Sequence, residues 1–337
     1  MPSRPGTPRA SFWARTVVGL AISVVALWLV FRTVDVASAL AILRTASPAW
    51  IALMFVAMLA DIAVRALRWK LILVPVADVS YVRTVQYLTT GYAANNVLPA
   101  RLGELVRAHY VGDREGVSRS TALGTIVVER VVDFAALAAI AAGALVILGV
   151  RGDLASAVWV GVLVAVLLVM GLTVAIVGHR LPGYDRVARA AERYPRVRAL
   201  VETFRAGLAT AGRPRTMVPA LALTFVAWAL TTIAFAAGAQ AVGIQLALSQ
   251  AALLAAGVNL VTAIPSGPGF VGTWELAAVR ILALFGVASD TAFAFALLVH
   301  VSTLGVTTII GAVSFLRIGW LPPATKVGAG AQTSGQV

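Results

Sequence analysis

The chain has 337 residues, 60% hydrophobic and only 12% charged, with a mean hydropathy of +0.91 and a net charge of +13. A soluble domain is about 25% charged, so this composition, with apolar runs of near-span length throughout, excludes a soluble globular protein and defines a polytopic membrane protein. The positive charge does not imply nucleic acid, because the arginines lie in loops between apolar runs, where cytoplasmic loops collect basic residues. The absence of cysteine excludes disulfides, thiolate catalysis and cysteine-based metal sites.

Residues 1–11 read as a cytoplasmic tail. Arg4, Arg9 and Arg15 accompany an apolar run from Phe12 to Phe31. That run is longer than a signal-peptide core, and Arg32 and Asp35 intervene before Ala37-Ser38-Ala39, so it is expected to be a retained first span. Residues 32–47 are expected to form a short loop. Pro48 suits a first helical turn, and a second span runs from Ala49 to about Leu71. Asp61 and Arg65 lie at the i, i+4 spacing of a structural ion pair; Arg68 and Lys70 mark the cytoplasmic end.

Residues 82–97, with Gln86, Tyr87, Thr89 and Thr90, are too short and too polar to span alone. Pro99 breaks their helix, and the return from Leu102 to Val111 carries Glu104 and Arg107. This predicts a re-entrant hairpin entering from the cytoplasm. Irregular backbone at depth must be buried in protein or line a cavity.

The third span, Ser120 to Val150, exceeds one bilayer crossing. Counted back from Val150, Glu129, Arg130 and Asp133 fall near the cytoplasmic interface, with Glu129 and Asp133 on one face and Arg130 within reach of Asp133. They read either as a cavity wall or as a snorkelling ion cluster. Arg151-Gly152-Asp153 makes an external turn before a fourth span over 154–178. The basic segment 179–215 has apolar residues at helical spacing from Val187 to Phe204. It is either an amphipathic helix on an anionic leaflet or a solvated loop helix.

A fifth span runs from Met217 to Val242. A second short apolar segment, 250–262, ends at Pro265-Ser266-Gly267-Pro268-Gly269. Another, 271–286, holds Glu275 and Arg280. The last span, 291–316, contains His300, and the tail 317–337 is expected to be disordered. With every Arg-rich segment on one side, both termini are cytoplasmic. The expected fold is an all-α integral membrane domain over 12–316, with about six transmembrane helices and two re-entrant hairpins in an inverted repeat. For 250–286 the alternative is two thin crossings.

Three motifs concentrate the polar residues: N-x-x-P-x-R-x-G-E-x-x-R from Asn96 to Arg107, V-V-E-R-x-x-D from Val127 to Asp133, and P-S-G-P-G-x-x-G-x-x-E from Pro265 to Glu275. Ionisable groups in a bilayer line cavities or pair with one another. Arg101, Arg107 and Arg130 have the planar, bidentate geometry that holds phosphate. Glu104, Glu129, Asp133 and Glu275 balance them or accept a headgroup amine. Asn96, Asn259 and Ser266 complete the candidate binding path. Pro99, Gly103, Pro265, Gly267, Gly269 and Gly272 are the candidate backbone breaks. For Arg107 and Arg280 a purely structural partnership is the competing reading. His109, His179 and His300 match no metal spacing, and no catalytic or nucleotide-binding motif appears. The expectation is no metal, no cofactor and no enzyme activity, so uphill transport would draw on an ion gradient or a product sink.

Taken together, the three motifs resemble the lysylphosphatidylglycerol synthase transmembrane region, also called the flippase-like domain family. The resemblance covers roughly residues 12–316 and implies lipid translocation. The family includes the membrane half of the bacterial multiple peptide resistance factor, in which this domain moves aminoacylated phosphatidylglycerol to the outer leaflet and is fused to a soluble synthase domain. The present sequence runs only a short way past its last span, so the expected partners are membrane lipids and a separately encoded lipid-modifying synthase. Two alternatives stay open: a polytopic enzyme acting on a lipid-linked substrate through carboxylates such as Glu104 and Asp133, and a membrane scaffold for such a synthase.

Overall fold

The computed structural model describes residues 8–98, 102–177, 195–262 and 266–319. Among the described residues there are twelve α-helices and no strand: α1 (Pro8–Phe31), α2 (Val36–Arg44), α3 (Pro48–Leu73), α4 (Tyr81–Val97), α5 (Gly103–Arg114), α6 (Arg119–Leu148), α7 (Asp153–Val177), α8 (Pro195–Leu208), α9 (Pro214–Ala241), α10 (Leu248–Val261), α11 (Thr273–Ala283) and α12 (Ser289–Ile318). Helices α3, α6, α7, α9 and α12 are long and apolar enough to cross a membrane. A sixth crossing results if α1 and α2, bent by 81°, count as one span. The protein is an all-α polytopic membrane protein.

Residues expected to form a loop before α3 instead contain helix α2. The reason is local: the Asp35 carboxylate accepts the Ala37 N–H at 3.0 Å and the Ser38 hydroxyl at 2.7 Å, capping a run of good helix formers. The Asp35 N–H in turn donates to Asp290 at 2.8 Å, tying this corner to the start of α12.

The expected first hairpin is present as α4 and α5, which run antiparallel. Arg83 and Tyr87 meet Glu115 at one end, and Asn95 meets Gly103 at the other. Between them the backbones approach so closely that a Cβ on Gly103 would collide with the Gly91 carbonyl and with Asn95. Pro99 and Arg101, at the tip, lie outside the described residues, as does Pro265 in the second break.

The second hairpin joins α10 and α11 through a backbone that needs glycine. Gly269 and Gly272 have φ of 64° and 93°, a region that side chains disfavour. Gly267 has an ordinary φ of −62°; there the demand is space, since a Cβ would press on Ser23 Oγ at 3.0 Å.

The packing repeats between the two halves of the chain. Helices α3 and α9 pack together at the centre. Helix α4 packs on α12, and correspondingly α10 on α6. The pairs α4–α5, α5–α6, α3–α4 and α3–α6 have counterparts in α10–α11, α11–α12, α9–α10 and α9–α12, and α2–α12 corresponds to α8–α6. Exchanging α1–α6 with α7–α12 thus maps this set of contacts onto itself. In lipid, close packing rather than hydrophobic exclusion holds helices together, and small residues permit it. Helix α9 presents buried Ala227, Ala234, Ala237 and Ala241, and a Cβ on its Gly238 would strike Val299 at 2.5 Å. By contrast α7 buries only Val158 and Ala165.

Helix α8, within the basic segment, docks on α6. Thr203 and Ser120 share a hydroxyl hydrogen bond of 2.5 Å, the Thr121 hydroxyl donates to the Thr203 carbonyl at 2.8 Å, and Gly124 and Gly207 let the two backbones touch. Leu200 and Val201 are exposed on the outer face. The part of the expected amphipathic helix before Pro195 lies outside the described residues.

Candidate functional site

Between the two halves lies a cavity of about 600 Å³. Its polar lining comes from Asp61 and Arg65 on α3, Asn95 and Asn96 on α4, Glu104 on α5, Arg130 and Asp133 on α6, Asn259 on α10 and His300 on α12. Tyr92, Phe134, Trp228, Phe235, Phe270 and Trp274 supply aromatic walls. Polar groups on several apolar helices converge here because each helix turns its ionisable stripe inward, the one place in a bilayer where such groups find partners.

On the α3–α6 side the charges form a continuous network. Arg65 holds Asp61 at 2.8 Å, donates to the Thr231 hydroxyl at 3.3 Å and lies 3.7 Å from Asp133. Arg68 grips Asp133 with both terminal nitrogens, one at 3.0 Å, and reaches Glu129 at 3.2 Å. Arg107 comes in from α5 and donates to Glu129 at 2.6 Å and 3.4 Å. Arg130 contacts Glu129 at 2.6 Å and Asp133 at 3.6 Å. Two of the guanidiniums also lie over indole rings, Arg107 over Trp69 at 3.9 Å and Arg65 over Trp228 at 4.3 Å. With Glu104, the assembly has four carboxylates and four guanidiniums, so it is formally neutral. Burial is graded: Arg68 and Glu129 side chains are fully buried, whereas Arg130 is 44% exposed.

Arg68, expected with Lys70 at the end of the second span, is the buried centre of the network, because Asp61, Arg65 and Arg68 recur on one face of α3. Of the two readings of Glu129 and Asp133, their burial in protein favours the cavity wall and its support over a snorkelling cluster. Asp61 and Arg65 do pair, and they also line the cavity.

At the first hairpin, Asn95 accepts the Gly103 N–H at 2.7 Å and donates to Glu104 at 3.4 Å, holding the start of α5. Asn96 donates to the Thr307 and Thr308 hydroxyls of α12, both at 2.9 Å. At the second hairpin, Asn259 donates back to the Ala255 carbonyl at 2.8 Å. Glu275 caps α11, accepting the Gly272 N–H at 2.6 Å, while its other oxygen lies 2.6 Å from His300 Nδ1. The His300 ring stacks on Trp274 with centroids 4.6 Å apart.

Of the expected site residues, Asn96, Glu104, Arg130, Asp133 and Asn259 line the cavity. Arg107 and Glu129 stand behind the wall as its ionic support. Glu275 is one residue removed, reaching the cavity through His300. Ser266 is not part of the lining; its hydroxyl is buried without a hydrogen-bond partner. Arg280 is exposed and takes no part. The sequence reading missed Arg68, Tyr92 and His300 as members. The face shared by Asp61, Arg65 and Arg68 was an available signal; nothing local pointed to His300. Among the described residues no group of histidine and carboxylate side chains is arranged to hold a metal.

A charged cavity between the two halves of an all-α membrane domain defines the class of the protein. The chain belongs to the family described as Lysylphosphatidylglycerol synthase TM region, which it matches over residues 16–311. It is also 27% identical, over 349 aligned positions, to Glycosyltransferase AglD of Haloferax volcanii, with 92% of this chain and 55% of that protein covered. The chain therefore spans about half the length of that relative.

Proposed function

We propose that this protein is a translocator that carries the polar headgroup of a membrane lipid through the cavity between its two halves while the tails remain in the bilayer. The observation that carries the reading is the cavity itself: charged groups on one wall, aromatic faces on the others, and a size suited to a headgroup. Arg130 is half-exposed to it and suits a phosphate; Glu104 and Asp61 suit a headgroup amine. In this reading the hairpins enter from opposite faces, each half has three crossings, and the two halves are inverted, with both termini cytoplasmic. An aminoacylated phospholipid of the cell membrane is the first cargo to test, its chemistry supplied by a separate synthase.

The test is translocation in proteoliposomes, using a headgroup-labelled phospholipid and aminoacyl-phosphatidylglycerol. Wild type is compared with Glu104→Gln and Asp133→Asn, each confirmed monodisperse. Movement abolished by both substitutions supports the translocator. No movement of either lipid by folded protein overturns it for these cargoes. A lipid whose mass changes would instead favour the enzyme reading, to which the glycosyltransferase relative lends a specific observation.

A further inference from the structure

The correspondence between halves places two acid–base pairs in matching positions. Glu104 and Glu275 lie in the first turns of α5 and α11. Arg130 and His300 occupy the same position counted from the first residues of their helices, Arg119 and Ser289. The two pairs differ in state and in chemistry. In the first half, Glu104 turns to Asn95 while Arg130 is held by Glu129. In the second, Glu275 and His300 are locked together at 2.6 Å, and both are at least 95% buried. Arginine keeps its charge under all accessible conditions. Histidine is the side chain suited to exchanging a proton near neutral pH.

We infer that the Glu275–His300 pair is a proton-binding site that couples a proton gradient to movement of the cargo, an inference that rests on the translocator reading. One proton makes the pair a neutral unit of imidazolium and carboxylate. Its departure leaves a net negative charge in a buried place, which is costly unless the carboxylate reaches water or a cation. That carboxylate is also the cap of α11, through the Gly272 N–H. Proton loss therefore acts on the hairpin directly: it weakens the tie to α12 and favours release of the start of α11 toward the cavity, where Gly269 and Gly272 supply the backbone freedom.

Among the described residues neither Glu275 nor His300 makes a second ion pair. From Val17 to Phe31 helix α1 carries no titratable side chain, nor does α10, and that of α9 is Arg215 in its first turn. The groups that face the pair do so from across the cavity: Asp61 and Arg65 of α3, Tyr92 of α4, Glu104 of α5, and Arg130 and Asp133 of α6. Asp61 and Asp133 are already matched by guanidiniums and Glu104 turns to Asn95, so the proton shared by Glu275 and His300 is the one held between an acid and a histidine.

Two measurements test the site and the coupling separately. In nanodiscs, protein labelled at its three histidines is titrated by nitrogen NMR, with the His300 signal identified by its loss in His300→Gln. The expected result is a pH-dependent His300 signal that Glu275→Gln alters; a signal unmoved by Glu275→Gln overturns the site. In proteoliposomes, a gradient of one pH unit is a tenfold difference in proton activity, equivalent to about 1.4 kcal/mol. Wild-type translocation is expected to change severalfold when the gradient is imposed, while His300→Arg, with its permanent charge, is indifferent to it. Wild-type movement that ignores the gradient overturns the coupling and leaves the translocator standing. No movement under any gradient overturns the translocator and the coupling together.

Discussion

Arg68 and Asp133, 65 residues apart in sequence, meet as a two-pronged pair in which the arginine has no solvent exposure. Removing one member of a buried pair strands the other charge and costs about 3–5 kcal/mol. Arg68→Met is therefore expected to lower the thermal unfolding midpoint in detergent sharply. The double substitution Arg68→Met/Asp133→Leu is expected to recover most of the loss. Equal damage by single and double variants would mean that the pair is not an independent unit of the network.

Asn96 ties α4 to α12 by two hydrogen bonds of 2.9 Å to hydroxyls. Neutral hydrogen bonds contribute about 1 kcal/mol each. Asn96→Leu is expected to destabilise by about 1–3 kcal/mol and to slow lipid movement more than that loss alone explains, because it frees the first hairpin from its anchor. Translocation and unfolding are measured on the same preparation. A stability loss with translocation intact would assign Asn96 to packing alone.

Gly103 and Gly161 make a matched comparison. A methyl group at Gly103 would collide with Gly91 backbone and with Asn95, whereas at Gly161 on α7 nothing lies within 4 Å. Gly103→Ala is expected to lower the unfolding midpoint. Gly161→Ala is expected to leave it unchanged or raise it slightly, since alanine favours a helix by about 0.5–1 kcal/mol over glycine. A harmless Gly103→Ala would show that the hairpin is not closed this tightly.

Orientation is open to direct chemistry, because the chain has no cysteine to remove. Ser156 and Arg215 are exposed at the starts of α7 and α9. With both termini cytoplasmic, a membrane-impermeant maleimide added to intact cells labels Ser156→Cys and not Arg215→Cys. The opposite pattern would invert the topology.

Much of the architecture was legible because lipid punishes exposed polarity so severely. The α4–α5 hairpin followed from one proline and a segment too polar to span, and the charged motifs of α5 and α6 followed from ionisable residues in apolar runs. What escaped notice was set by tertiary partners. Arg68 stands two residues from Lys70 and so looks like part of a basic helix end; only the facing carboxylates on α6 reveal its burial. His300 is a lone histidine in an apolar helix, and its partner arrives from the helix before it. Helix α2 was hidden in a segment with a charged border, although Asp35 followed by Ser38 carried a capping signal.

The network joining α3 to α6 also constrains how the protein is made. Helix α3 enters the membrane with Asp61, Arg65 and Arg68, and the groups that neutralise Arg68 emerge only when α6 is synthesised, after the whole first hairpin. Until then its charge must be sheltered by water, by the insertion machinery or by a chaperone, since bare lipid is a poor host for it. Release of α3 into the bilayer should therefore wait for α6, making the two helices and the hairpin between them a single unit of biogenesis.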